Sequence, residues 1–196
     1  MHHKLPKTSA AATLLTSAMI ATMTALPSHA AAPTTRAASA LAPADGVYKP
    51  RHLNTGGSFQ PWGGGTGEGA DVDMIATYVG QTWNIRRVTY RNNQPAYQFE
   101  NLHASGKCLQ AKSPLTAPTS GNDTAIHTCD RSASAQLWLL PAASAALPGA
   151  VNIVSVVYPR RALAPLNPKI DHTDLKLKER ANSPSRDFAW YLVPQS

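Results

Sequence analysis

Three tryptophans occupy similar segments of the chain at nearly equal intervals. Trp83 and Trp138 each end a Gln-x-Trp sequence, which begins at Gln81 and Gln136, and Trp190 lies in the comparable segment Phe-Ala-Trp-Tyr-Leu. The three rings are 55 and 52 residues apart. Similar segments at a near-constant period indicate one supersecondary unit that is used three times. No other feature of the sequence constrains the fold as strongly.

Each of the three units reads as about four short strands. The chain has sixteen Pro and twelve Gly, a composition that favours short strands and turns over long helices. In the second unit, residues 97–102 alternate between apolar and polar side chains, as a half-buried strand does. We therefore predict a closed all-β domain whose repeats span about 45–88, 90–141 and 151–194.

The recurring tryptophans are expected to fill the core of this domain. In a closed three-fold β-domain each repeat supplies a large apolar residue to the shared centre, and a Trp side chain buries about 150–250 Å². A Gln two residues earlier lies on the same face of a strand and can satisfy backbone groups at the preceding turn. We predict that Gln81, Trp83, Gln136, Trp138 and Trp190 are structural and contact no ligand.

The N-terminal thirty residues read as a secretory signal peptide. They have a basic start, an apolar and small-residue stretch over 10–26, and small residues before a cleavage site near Ala30. A membrane anchor is the weaker alternative, because the apolar stretch is short and diluted by Thr. We predict a secreted protein with a flexible leader over 31–44, a folded domain over 45–194 and no transmembrane segment.

Cleavage at this site also changes the charge. The removed segment contains two Lys and no acidic residue, so the formal charge falls from +7 to +5. A moderately basic protein favours anionic partners or surfaces. We do not expect it to bind nucleic acid directly.

The two cysteines of the chain, Cys108 and Cys129, are 21 positions apart. In an oxidising compartment, two cysteines across a loop-rich segment are expected to form a disulfide. A loop of this size stabilises a fold by roughly 3 kcal/mol in the chain-entropy estimate. The alternative assigns His127 and Cys129 to a metal site, or makes Cys129 a nucleophile, but no second Cys or His pair completes such a site. We predict the disulfide, with no metal and no cofactor.

Catalytic and phosphate-binding patterns are incomplete in this sequence. The glycine run 63–69 lacks the buried strand and the Lys-Ser/Thr of a phosphate-binding loop, so we expect a mobile surface loop. His172 lies between carboxylates in 171–174, but the chain has no Gly-x-Ser-x-Gly and no Rossmann glycine pattern. Asp71 and Asp73 lie on one face of a strand, and nothing places a partner beside them that would raise a carboxyl pKa. We predict that the protein is not an enzyme.

The second repeat carries the signature of a known family. Its Gly-Lys-Cys-Leu at 106–109, its second cysteine and its closing Gln-x-Trp resemble the ricin-B-type β-trefoil lectins. The resemblance covers about Asp45 to Pro194 and implies a β-trefoil of three four-strand repeats. It also implies a cell-surface glycan or glycolipid as the ligand of a free-standing lectin.

The order of the motifs is similar to one branch of these trefoils. The segments Gln81–Arg86, Tyr97–Asn101, Gln136–Pro141 and Pro184–Pro194 resemble the two related trefoil subunits of the cytolethal distending toxins. In that family the trefoils are not catalytic; the one that this chain resembles more binds the host-cell surface and, with its sister trefoil, delivers a nuclease of DNase-I-like fold. The resemblance implies a delivery subunit with those two partners. Relatives are commonly lipidated at a Cys after the signal peptide, and the absence of a Cys near Ala30 predicts free secretion.

The resemblance also marks ligand-binding positions, most of which depart from the family pattern. Lectins of this type bind a sugar with an Asp just after Cys-Leu, an aromatic platform near the second Cys and an Asn before Gln-x-Trp. The Asp positions hold Gln60, Gln110 and Ala164, and the Asn positions hold Gly80, Ala135 and Asp187. His127 takes the platform position of the second repeat, which makes Gln110 and His127 the best-kept pocket.

A second candidate lies after the turn of the first repeat, where the toxin trefoils carry surface aromatics. Phe59 and Trp62 fall in that place, and Tyr78 is the nearest further ring. An exposed Trp beside glycines often marks recognition, although Trp62 can instead cap the mouth of the barrel. The candidate ligand-binding residues are therefore Phe59, Gln60, Trp62, Tyr78, Gln110 and His127. A trefoil that binds or inhibits another protein through its loops is the remaining alternative.

Overall fold

A computed structural model of the chain describes residues 42–75, 80–170, 172–180 and 186–196. The predicted signal peptide, most of the predicted leader and Tyr78 lie outside the described residues. Within them the first repeat forms strands β1 (Gly46–His52), β2 (Ser58–Pro61), β3 (Val72–Ile75) and β4 (Trp83–Thr89). The second forms β5 (Pro95–Asn101), β6 (Lys107–Ala111), β7 (Thr124–Thr128) and β8 (Trp138–Leu139). The third forms β9 (Val154–Ser155), β10 (Arg161–Pro165), β11 (His172–Glu179) and β12 (Trp190–Pro194). Short 3₁₀ turns occupy Trp62–Gly64, Arg91–Asn93, Ser134–Gln136 and Arg186–Phe188.

Six of these strands form a closed antiparallel barrel. They pair in the order β12-β1-β4-β5-β8-β9, and the two ends of this order meet where Val151 and Trp190 exchange backbone hydrogen bonds of 2.9 Å. The other strands form three hairpins, β2–β3, β6–β7 and β10–β11. A six-stranded barrel with one hairpin per repeat is a β-trefoil. The predicted all-β fold of three four-strand repeats is confirmed.

One fully buried tryptophan from each repeat packs in the common core. The indole N–H of each donates a hydrogen bond of 2.9–3.1 Å to a backbone carbonyl of a hairpin. The donor and acceptor residues are Trp83 with Phe59, Trp138 with Leu109, and Trp190 with Leu163. Because the same bond recurs three times, the three acceptors occupy equivalent positions of the repeat.

The glutamines of Gln-x-Trp connect the third strand of a repeat to the fourth. Gln81 Nε2 donates to the carbonyl of Ile75 at 2.8 Å, and Gln136 Nε2 donates to that of Thr128 at 2.9 Å. Gln136 Oε1 also accepts from the backbone N–H of Asp130 at 2.8 Å. These amides satisfy backbone groups that would otherwise be buried without a partner.

Different contacts hold the second and third hairpins. Cys108 on β6 and Cys129, just after β7, form a disulfide, so Cys129 is neither a free nucleophile nor a metal ligand. Ala162 on β10 takes the place of Cys108 in the third repeat. There a buried ion pair joins Lys176 on β11 to Asp123 of the second repeat, with Nζ and Oδ1 3.0 Å apart.

Candidate functional site

Trp62 is the most exposed large apolar side chain of the described residues, with 56% of its surface accessible. It directly follows β2 and is followed by Gly63 and Gly64, whose φ angles of 57° and 71° favour glycine. The chain therefore turns away while the indole stays at the surface. The ring stacks on His172, with centroids 4.9 Å apart and planes inclined by 24°. A flat aromatic surface is thus supported by the protein on one face.

His172 is in turn held by a buried carboxylate. Its Nε2 lies 2.8 Å from Oδ2 of Asp73 on β3, whose side chain is only 3% exposed. An ionised carboxylate can only accept, so Nε2–H donates, and in a neutral imidazole Nδ1 is then an acceptor. Nδ1 makes no hydrogen bond with the described part of the chain. His172 therefore presents an acceptor beside the ring of Trp62.

Further acceptors lie on the same face of the β2–β3 hairpin. The register places Gln60 opposite Asp73, and Ser58 lies two residues before Gln60. Gln60 Oε1, Asp73 Oδ1 and Ser58 Oγ are buried and form no hydrogen bond within the described residues. Each such group carries a desolvation penalty of about 1–3 kcal/mol, and its persistence calls for an explanation such as a ligand or a bound water.

The electrostatics of Asp73 also set it apart. Burial raises the pKa of its carboxyl, against the opposing effect of the His172 contact, and Asp174 across the β3–β11 pair raises it further. Because the folded-state pKa lies above the unfolded one, the native state loses stability as the pH rises through that interval. Carboxylates that are retained in unfavourable surroundings are enriched at functional sites.

Only the first repeat builds this arrangement. The register equivalents of the Gln60–Asp73 pair are Gln110–Ala125 in the second repeat and Ala164–Lys176 in the third. The second repeat thus lacks the carboxylate, and the third has a lysine that is already paired with Asp123. The Asp that the family pattern requires is absent from position 60, but the neighbouring strand supplies one directly across from it.

The structure corrects the prediction for Phe59, which we expected in a surface patch. Its ring is fully buried and packs against Trp83 and Trp190, with centroids 5.1 and 5.3 Å apart. Side chains of β2 alternate between faces, so Phe59 points into the core while Gln60 points away from it. Gln60 is also buried, and Trp62 alone of these three is at the surface.

The pocket predicted in the second repeat is filled by the chain itself. Nδ1 of His127 lies 2.9 Å from Oε1 of Glu68, which also accepts from the backbone N–H of Thr128 and is paired with Lys107 Nζ. These contacts, that of Lys107 foremost, lower the pKa of Glu68 to about 2. The glycine run is therefore anchored to the second repeat, in contrast to the mobile loop that we expected.

Gln110 is committed in the same way. Its Oε1 accepts a hydrogen bond of 3.1 Å from Nε2 of Gln136, and Gln136 Oε1 accepts from Gln98. This amide network lies at the junction of the second hairpin with the barrel. Gln110 and His127 consequently have intramolecular partners where the prediction placed a sugar.

Three other kinds of site are not built by the described side chains. Among these residues, no group of three or more His, Cys, Asp or Glu side chains is placed to hold a metal ion. In that same part of the chain no helix is long and apolar enough to cross a membrane. Asp71 is paired with Lys112 rather than with Asp73, so the two aspartates do not form a carboxylate pair.

Comparisons with known proteins agree with the architecture. No family model matches the chain, and no curated protein matches its sequence. Among solved structures, the designed three-fold symmetric protein ThreeFoil matches with a TM-score of 0.59 and 20% identity, over 77% of this chain and all of that one. The cytolethal distending toxin of Haemophilus ducreyi matches at 0.55 and 22%, over 76% and 83%. The agglutinin of Rhizoctonia solani matches at 0.58 and 16%, over 79% and 99%.

The chain is a β-trefoil protein. At identities of 16–22% these similarities show the fold and leave ligand and assembly to the site itself. The site on this trefoil is the cluster of Trp62, His172, Asp73 and Gln60, which we call the Trp62 cluster. Sequence reasoning found Trp62 and Gln60 but not the other two, because β11 and β3 meet only in the folded structure.

Proposed function

We propose that this protein binds a carbohydrate at the Trp62 cluster and catalyses no reaction. The observation that carries the proposal is the exposed ring of Trp62, stacked on a histidine that a buried carboxylate holds in place. A sugar ring presents apolar C–H groups on one face and hydroxyl donors around its edge. It is therefore matched by a flat aromatic surface with hydrogen-bond acceptors beside it.

The cluster offers these acceptors at two depths. Nδ1 of His172, on a side chain that is 46% exposed, is within reach of a hydroxyl of a sugar stacked on Trp62. Gln60 Oε1 and Asp73 Oδ1 are shielded, and a ligand hydroxyl reaches them only if the His172 ring rotates. Because the stack and the Asp73 contact already fix both rings, little side-chain entropy is lost when a sugar binds at the surface.

The fold supports a binding function of this kind. The solved structures of similar fold include an agglutinin and a toxin. The sequence resemblance to ricin-B-type lectins covers the whole folded domain and implies the same class of ligand. We propose that the protein acts outside the cell, after cleavage of its signal peptide near Ala30. Intact-mass measurement of protein from the culture medium tests this, because the expected N-terminus is Ala31.

The carbohydrate proposal is tested on a glycan array. We expect saturable binding to a limited set of glycans, and we expect Trp62→Ala to abolish it while the circular dichroism spectrum stays unchanged. Val193→Ala, which shortens a 37%-exposed side chain near the end of β12, is the matched control and should bind like the wild type. Binding that survives in Trp62→Ala, or the absence of any bound glycan, would overturn the proposal.

A second candidate function is delivery of a toxin. It is favoured by the match to the Haemophilus ducreyi toxin and by the order of the Gln-x-Trp segments along the chain. In this role the protein would associate with a DNase-I-like nuclease and a second trefoil protein. Co-elution of the secreted protein with such a nuclease in a pull-down from the producing culture is the expected result. A genome without a nuclease of this class would exclude the role.

A further inference from the structure

A cavity of about 390 Å³ lies among residues that the Trp62 cluster does not use. Its volume falls in the range of small-molecule sites, roughly 300–1,000 Å³. Most of its wall is apolar and consists of Pro95, Leu139, Leu140, Pro141, Val154 and Pro159. Three prolines and two strand pairs fix this wall, so the shape of the cavity does not depend on long flexible side chains.

The cavity contains a buried polar group without a partner. Tyr97 on β5 lines it, is 2% exposed, and its hydroxyl makes no hydrogen bond within the described residues. Burial raises the pKa of Tyr97, which keeps the phenol neutral and able to donate. Buried Tyr hydroxyls usually have a partner. The absence of one here indicates that a ligand or a water supplies the acceptor.

The cavity also has an unpaired cation. Arg180, just after β11, lines it, and its guanidinium forms no hydrogen bond or ion pair with the described part of the chain. Other arginines of this surface are neutralised: Arg86 by Glu100 at 3.1 Å and Arg161 by Glu179 at 3.5 Å. A backbone hydrogen bond of 2.8 Å joins Arg180 to Arg160, which adds positive charge nearby.

We infer that this cavity binds a small organic carboxylate with an apolar body. The carboxylate pairs with the guanidinium of Arg180, the hydroxyl of Tyr97 donates to a ligand oxygen, and the apolar body lies against the prolines and leucines. A neutral sugar would leave the cation without use and would place its hydroxyls against apolar carbon. Nucleic acid requires a row of cations along a backbone, whereas this cavity presents one beside an apolar wall.

The inference is tested with octanoate, titrated into the isotope-labelled mature protein and followed by nuclear magnetic resonance. We expect saturable shifts at Tyr97, Leu140 and Arg180, with 1-octanol as the neutral probe of the apolar wall alone. Arg180→Gln should weaken octanoate binding about fivefold to tenfold, as a partly exposed charge-assisted pair does, and should leave octanol binding unchanged. Arg131→Gln removes an exposed arginine of the second repeat and is the matched control.

Two further variants separate this site from the carbohydrate site and from effects on folding. Tyr97→Phe should weaken octanoate binding without lowering stability, because the hydroxyl has no partner in the free protein. Trp62→Ala should bind octanoate like the wild type. Shifts that do not saturate, shifts that spread over the surface, or equal affinities of Arg180→Gln and Arg131→Gln would overturn the inference.

Discussion

The buried ion pair between Lys176 and Asp123 allows a quantitative stability prediction. Their side chains are 4% and 2% exposed, and Nζ lies 3.0 Å from Oδ1. The ammonium also donates to Thr116 Oγ1 at 2.6 Å and to three backbone carbonyls of residues 117–121. One lysine of the third repeat therefore holds a loop of the second, in the hairpin pair that lacks a disulfide of its own.

Lys176→Met keeps the aliphatic stem and removes the charge. Removal of one partner of a buried ion pair costs about 3–5 kcal/mol, because the other charge stays buried without compensation. The Asp123 carboxylate keeps three donors, which are the backbone N–H groups of Thr116 and Leu177 and the hydroxyl of Thr116. We therefore expect a loss near the lower end, about 3 kcal/mol, from a total of roughly 5–15 kcal/mol for a domain.

Urea denaturation followed by tryptophan fluorescence measures this loss. Lys169→Met, at an exposed lysine, is the control and should change the free energy of unfolding by no more than about 0.5 kcal/mol. The double variant Asp123→Asn/Lys176→Met should lose at least about 1 kcal/mol less than the sum of the single variants, because it leaves no isolated charge. A loss below about 1 kcal/mol in Lys176→Met would refute the reasoning.

Three other variants test single contacts. Glu68→Gln should release the glycine run 63–69 and speed its cleavage by proteases; in the wild type the depressed pKa, about 2, keeps the anchor above pH 4.5 and releases it as the pH falls through 2, and equal cleavage of both proteins would contradict this. The double Ala variant of Cys108 and Cys129 should lose roughly 3 kcal/mol in urea, and a loss under about 1 kcal/mol would be too small. Asp73→Asn should gain stability relative to the wild type as the pH rises from about 4 to 7, because burial raises the pKa of that carboxyl; parallel pH profiles would exclude this.

The sequence was sufficient for the architecture because its signals are local. Alternation along 97–102 and the two-residue spacing of Gln and Trp depend on strand geometry alone, and both appear in the fold. The burial of Phe59 was also within reach. Position 60 was aligned with position 110, so Phe59 is equivalent to the core residue Leu109, and only the neighbouring Trp62 suggested a surface patch.

The site could be predicted only in part, because it depends on contacts between repeats. His172 and Asp73 are 99 positions apart and meet through the β3–β11 register, which no local pattern encodes. Glu68 shows the same limit, since a lone acidic residue among glycines gave no indication that it binds His127. Trp62 was recognisable because an aromatic residue between a proline and three glycines has little opportunity for burial.

The most direct test of the proposed function is whether a bound glycan covers Trp62. Of the four tryptophans of the chain, three are fully buried and Trp62 is 56% exposed, so quenching of fluorescence by acrylamide reports on Trp62. With a glycan identified on the array, we predict that saturation lowers the quenching constant of the wild type and leaves that of Trp62→Phe unchanged. Saturable binding with no change in the quenching of Trp62 would contradict the account.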